Sequence, residues 1–182
     1  MNHLALLIID MQKGMGSEAA GSRNNPGAES AIAALLSHWR KVGAPVVHVR
    51  HISRTPGSLF WPGQPGVEFQ ALLAPLDSEH IVEKNVPDAF INTGLERWLH
   101  ARGIGRVAIV GVSTNNSVEA TARTSGNLGF KTFVVSDATF AFSKHDYDNV
   151  LRSAQEVHAM ALANLQGEYA TILTASELQN AH

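Results

Sequence analysis

Three residues have types and positions that suit proton transfer and attack on a carbonyl: Asp10, Lys84 and Ser117. Asp10 directly follows the apolar run at 4–9. Lys84 follows the short run at 80–83, and Ser117 opens a helical pattern after the run at 107–110. In an open parallel sheet the C-terminal strand ends share one edge, so distance along the chain does not keep them apart. There a carboxylate can move protons, an ammonium can favour a neighbouring anion, and a hydroxyl can attack a carbonyl carbon. Each residue also has an ordinary explanation. Asp10 could cap a turn, Lys84 could be a solvated cation, and Ser117 could satisfy a backbone N–H at a helix start. No G-x-S-x-G surrounds Ser117, which argues against an α/β-hydrolase elbow.

The elements that would position these residues alternate along the chain. Short apolar runs rich in Val and Ile predict strands over 3–9, 45–50, 80–83, 106–110, 132–135 and 169–173. Between them the spacing predicts helices over 29–42, 95–102, 118–128, 149–165 and 174–180. The first carries Ile32, Leu35, Leu36 and Trp39 on one face. The fourth would place Val150, Ala154, Val157, Ala161 and Leu165 on one stripe. Thr93 is a candidate cap for the second helix, and Thr174 with Glu177 has the capping-box spacing. Strands alternating with helices predict a three-layer α/β/α, Rossmann-like domain over 1–182, with a mostly parallel sheet of about six strands. Two stretches are irregular, 14–27 and 53–66. The second carries Leu59, Phe60 and Trp61, an apolar cluster that predicts a lid or a subunit contact.

Composition excludes several classes. Across 182 residues there are 14 Lys and Arg against 16 Asp and Glu, with no basic run, so no nucleic-acid partner is expected. No apolar run is long enough for a membrane span, and the N-terminus lacks a signal-peptide pattern. The chain has no cysteine, which excludes disulfides and thiolate metal sites and fits a cytoplasmic protein. The glycines at 103 and 105 superficially match a dinucleotide fingerprint but precede a strand, so no nucleotide cofactor is expected.

Three motifs together resemble one family. The opening LLIIDMQ ends in Asp10-Met11-Gln12. EKNVPDAF reads as K-x-x-x-D-A-F from Lys84. VAIVGVSTNNSVEATARTSGNLGF, at 107–130, resembles the nucleophile turn of the isochorismatase-like cysteine hydrolases. The resemblance covers nearly the whole chain, with serine where most of that family has cysteine. It implies hydrolysis of a C–N bond in a small amide, with Asp10 as proton shuttle, Lys84 as electrostatic stabiliser and Ser117 at the nucleophile position. It further implies an oxyanion site from the N–H groups of Ser113 and Ser117, and a cis peptide at Val112–Ser113. Three readings of Ser117 stay open: a nucleophile activated by Asp10, a bystander to non-covalent vinyl-ether hydrolysis of an isochorismate-like substrate, or an introduced replacement for cysteine that traps substrate. A binding protein that kept the fold and lost the reaction also stays open. Candidate substrate-binding residues are Gln12, Phe60, Trp61, Phe90, Asn115 and Asn116. Phe140 and Phe142 are further wall candidates, with core packing as the alternative for the aromatics and helix capping for one of the asparagines. The nicotinamidases of this family hold metal through an Asp-x-His pair after the second strand. Here that region reads His48-Val-Arg50-His51, so no metal is expected. His145 and His158 are expected at the surface or an interface. A homo-oligomer, dimer or tetramer, is expected.

Overall fold

The structure, a computed structural model, describes residues 4–17 and 21–181. His3, the expected start of the first strand, and positions 18–20 of the first irregular stretch lie outside the described residues. The first strand, β1 (Leu4–Ile9), is apolar at every position and buried at every position. Such a strand must be covered on both faces, which makes it central in a parallel sheet. It is followed by helix α1 (Ala28–Val42), strands β2 (Val46–His51) and β3 (His80–Lys84), helix α2 (Leu95–His100), strand β4 (Arg106–Val112), helix α3 (Glu119–Asn127) and strand β5 (Lys131–Phe140). A two-stranded hairpin, β6 (Lys144–His145) and β7 (Leu151–Arg152), then leads to helix α4 (Ala154–Leu165), strand β8 (Thr171–Leu173) and helix α5 (Ala175–Asn180).

The main sheet has order β3-β2-β1-β4-β5-β8, with every neighbouring pair parallel. The expected six-stranded α/β architecture is therefore present. The order reverses between β1 and β4, and the crevice beyond their C-terminal ends is where such sheets place ligands. The two strands approach closely there. Gly111 pairs with Ile9 at φ 114°, and a Cβ at Gly111 would lie 2.1 Å from the Ile9 carbonyl oxygen. Only glycine fits.

Alternate residues of β1 feed two cores. Leu4, Leu6 and Ile8 pack with Ile32, Leu35, Leu36 and Trp39 of α1 and Leu178 of α5. Ala5, Leu7 and Ile9 pack with Leu95 and Leu99 of α2, Ala122 of α3 and Leu165 of α4. Each fully buried Leu or Ile contributes about 2 kcal/mol of burial free energy, so these faces hold β1 fixed. No helix among the described residues is long and apolar enough to cross a membrane.

Three expectations need correction. The helix expected from Asn149 starts at Ala154. Asn149 instead sits at φ 62° in a turn, where the Asp146 carboxylate accepts N–H bonds from Asp148 and Val150 and closes the β6–β7 hairpin. The helix then begins at a capping box, Ser153 with Glu156, and Val150 is exposed rather than part of an apolar stripe. Second, β5 continues to Phe140. Its register with β4 jumps from Ile109–Val134 to Gly111–Thr139, so β5 carries extra residues around Ser136. Third, Lys84 is the last residue of β3, not one residue beyond it.

Candidate active site

Asp10 leaves β1 at φ 52°, a left-handed conformation uncommon for a residue with a side chain. Its amide donates to the Val49 carbonyl at 2.9 Å and its carbonyl accepts from the Gln12 amide at 2.7 Å, which holds the bend. Lys84 ends β3, two strands away from β1. Only a long side chain can cross that gap, and the Lys84 ammonium reaches the Asp10 Oδ2 at 2.7 Å and the Ser117 Oγ at 3.4 Å. Asp10, Lys84 and Ser117 are 1%, 2% and 6% exposed, so their interactions run at low dielectric. Burial raises the Asp10 carboxyl above its ordinary value. The Lys84 charge and the facing Ser117 hydroxyl pull the other way without cancelling it. Asp10 Oδ1 is buried and has no protein hydrogen-bond partner.

Ser117 lies in a single π-helical turn, Thr114–Val118, that joins β4 to α3. The Ser113 carbonyl accepts from Asn116 N at 3.0 Å and Val118 N at 3.2 Å. These bonds bracket the Ser117 amide. The Val112–Ser113 peptide is cis, as expected from the resemblance. The loop after β3 is tied to the helix that follows Ser117. Ala89 N donates to Thr121 Oγ1 at 3.1 Å, and Asp88 accepts from Phe90 N at 2.8 Å and from the Thr124 hydroxyl. The D-A-F part of the second motif thus docks α3 against the strand end that carries Lys84.

The remaining candidates divide. Gln12 is not free to bind a substrate. Its side chain is buried and donates to the His51 and Val67 carbonyls at 3.0 and 2.9 Å, while Oε1 accepts from His51 N at 2.8 Å. That spends both N–H donors on the protein's own backbone. Phe90 belongs to core packing, buried and stacked on Phe130 at 5.8 Å, and Phe140 is fully buried. Phe60 and Trp61 are half-buried. The Phe60 ring covers Gly14 and meets His51 edge-on at 6.1 Å. Ser113, Asn115, Asn116, Phe142, Ser143 and Lys144 line a cavity of about 410 Å³ beside the turn. Within it Asn115 Oδ1 accepts from the Ser113 hydroxyl at 3.0 Å, and Asn116 is exposed.

Two histidines take places that the sequence reading did not assign them. His51 pairs in register with Lys84, and neighbours in a parallel ladder point to the same face. Burial, then the Lys84 charge, lowers its pKa and favours the neutral ring. His158, expected at the surface or an interface, is instead buried within the chain and bonded to Thr114 in the π turn. Among the described residues no three His, Cys, Asp or Glu side chains converge as metal ligands.

This site sits on a chain whose residues 4–177 match the Isochorismatase domain. The chain belongs to the isochorismatase family of hydrolases. It is 42% identical to the uncharacterized isochorismatase family protein YrdC of Bacillus subtilis, over 97% of this chain and 94% of that one. An isochorismatase-family structure from Chromobacterium violaceum superimposes with a TM-score of 0.95 at 46% identity, over 99% of this chain and 93% of that one. Nicotinamidase 3 of Arabidopsis thaliana is 29% identical over 96% of this chain and 86% of its own. In this member of the isochorismatase family the hydroxyl of Ser117 lies beside a buried Asp–Lys pair.

Proposed function

We propose that this isochorismatase-family hydrolase cleaves the C–N bond of a small amide, with Asp10, Lys84 and Ser117 as its catalytic residues. The observation that carries the proposal is the reach of one buried ammonium to both the Asp10 carboxylate and the Ser117 hydroxyl, at 2.7 and 3.4 Å. Likeness to a nicotinamidase over nearly the full chain supports the amide class. A serine hydroxyl is a poor acid and needs a base within reach. An ordinary aspartate is a weak base, but burial makes Asp10 a stronger one.

In this scheme Asp10 takes the Ser117 proton as Oγ attacks the carbonyl carbon. The Ser113 and Ser117 amides hold the developing oxyanion, a role in which one donor supplies about 100- to 1,000-fold in rate. Asp10 then returns the proton to the leaving amine, and water attacks the acyl-enzyme with Asp10 again as base. Lys84 keeps negative charge favourable at both oxygens.

A second scheme has one observation in its favour: burial keeps the Asp10 carboxyl protonated to higher pH, and a protonated Asp10 could protonate a vinyl ether without help from Ser117. The test compares wild type with Ser117→Ala, Ser117→Cys and Asp10→Asn on a panel of small primary amides and on isochorismate. Covalent amide hydrolysis predicts activity lost in Ser117→Ala, kept or raised in Ser117→Cys, and lowered by at least about 1,000-fold in Asp10→Asn. Isochorismate cleavage that survives Ser117→Ala would favour the second scheme. Full amide activity in Asp10→Asn would overturn the first.

A further inference from the structure

His158 lies on α4, outside the catalytic set, yet it is one of few buried ionisable side chains among the described residues, at 4% exposure. Its Nδ1 is 2.8 Å from the hydroxyl of Thr114, itself fully buried. Thr114 is the residue between Ser113 and the asparagines of the π turn. The Ser136 backbone, in the irregular part of β5, also acts on the ring and favours a proton there, as a nearby carbonyl does. A carbonyl can only accept, so the ring nitrogen that faces it carries the proton. With Nδ1 occupied by Thr114, that nitrogen is Nε2. In a neutral ring Nδ1 is then bare, and the Thr114 hydroxyl donates to it. Burial supports the neutral form by lowering the His158 pKa.

We propose that His158 is a positioning residue: as the Nε2–H tautomer it bridges β5 to the Thr114 hydroxyl and so fixes the turn that presents Ser113 and Ser117. The extra residues in β5 acquire a purpose from this bridge. They carry the Ser136 carbonyl away from the β4 ladder to a place where α4 can use it. The Ser136 carbonyl is itself pinned, by Asn25 Nδ2 at 2.8 Å, so the chain of contacts ends on a fixed group. The proposal rests on the reading of this turn as the reacting centre, and its test contains an arm that does not.

Thr114→Val removes the hydroxyl at nearly constant volume, Thr114→Ser keeps it, and His158→Asn keeps an acceptor near the Nδ1 position. On the best amide of the panel, Thr114→Val and His158→Leu should lose about 10- to 100-fold in kcat, the scale of a small misplacement of reacting groups. Their KM should stay within about twofold of wild type. Thr114→Ser and His158→Asn should recover most of kcat. The double variant Thr114→Val/His158→Leu should be no worse than either single, because both remove one bond.

The independent arm uses Ser117→Cys, which puts the only thiol in the chain at the turn. Its alkylation by iodoacetamide needs no substrate, and Thr114→Val in that background should slow it by about fivefold or more, since a loosened turn takes the sulfur away from Lys84. Nitrogen-15 NMR of the His158 ring should show a bare Nδ1 in wild type and a shifted signal in Thr114→Val. Unchanged kcat and unchanged alkylation in folded Thr114→Val overturn the proposal. So does a protonated Nδ1. If no amide is cleaved by wild type while alkylation and NMR behave as expected, the functional reading fails and the positioning role stands.

Discussion

At Asp10 burial and charge act against each other, and the balance decides how the enzyme responds to pH. Burial raises the carboxyl above its ordinary 3.8, and Lys84 recovers part of the shift. If Asp10 works as a base, kcat/KM must fall as pH drops through the raised pKa, because protonation removes the base. The acid limb should have its midpoint above 3.8, measured on the wild-type amide reaction. If Asp10 works as an acid on a vinyl ether, the sign reverses and activity falls as pH rises through the same value. The three residues proposed for this chemistry were legible because each sits in a motif at the end of an apolar run. His51, Gln12 and His158 were not. Their roles arise from partners 33 to 55 positions away in sequence and on other elements: Val67 for Gln12, Lys84 for His51, Thr114 for His158. No local pattern encodes such a contact.

The elements were easier to read than their ends. Strands buried on both faces are continuous apolar runs, and that signal located all six strands of the sheet. It failed past Val135, where Ser136 and Asp137 interrupt the run but the backbone rejoins β4 at Thr139. It also failed at 149–153, where apolar spacing suggested helix but the Asp146 turn and the Ser153 cap start the helix later. The strongest element-level constraint is Gly111. Its positive φ and the 2.1 Å that would separate an added Cβ from the Ile9 oxygen leave no room for alanine. Gly111→Ala should cost more than about 4 kcal/mol or prevent folding, because backbone on both strands must move. Urea unfolding monitored by circular dichroism measures it; a loss below about 1 kcal/mol would show that the β1–β4 crevice is looser than described.

Across the molecule, titrating groups predict weakening toward acid. His48, His51, His80 and His158 all have pKa values lowered chiefly by burial. A group depressed in the folded state contributes stability that is present above its unfolded pKa and lost as pH falls. For these histidines the loss begins near 6.5. Glu79 adds a second window. Its burial works the other way, but hydrogen bonds from Arg40, the Leu76 amide and His48 hold its pKa down to about 2. Its contribution therefore fades between 4.5 and about 2. The urea midpoint should decline in two stages on acidification, and Glu79→Gln should shrink the lower one, to which Glu29 beside Arg23 also contributes, while costing about 2 kcal/mol at neutral pH, between an exposed and a buried pair.

Gln12 has a consequence at this scale as well. The segment at 52–66 leaves the sheet beside His51 and returns beside Val67, and one buried amide grips the chain at both points. Asp10, Lys84 and Ser117 all lie outside that segment. The protein thus has a built-in cassette with fixed splice points. Doubling the length of the cassette would add only about 0.6 kcal/mol of closure entropy. Evolution, or a designer, can exchange this segment for another while Asp10, Lys84 and Ser117 keep their geometry.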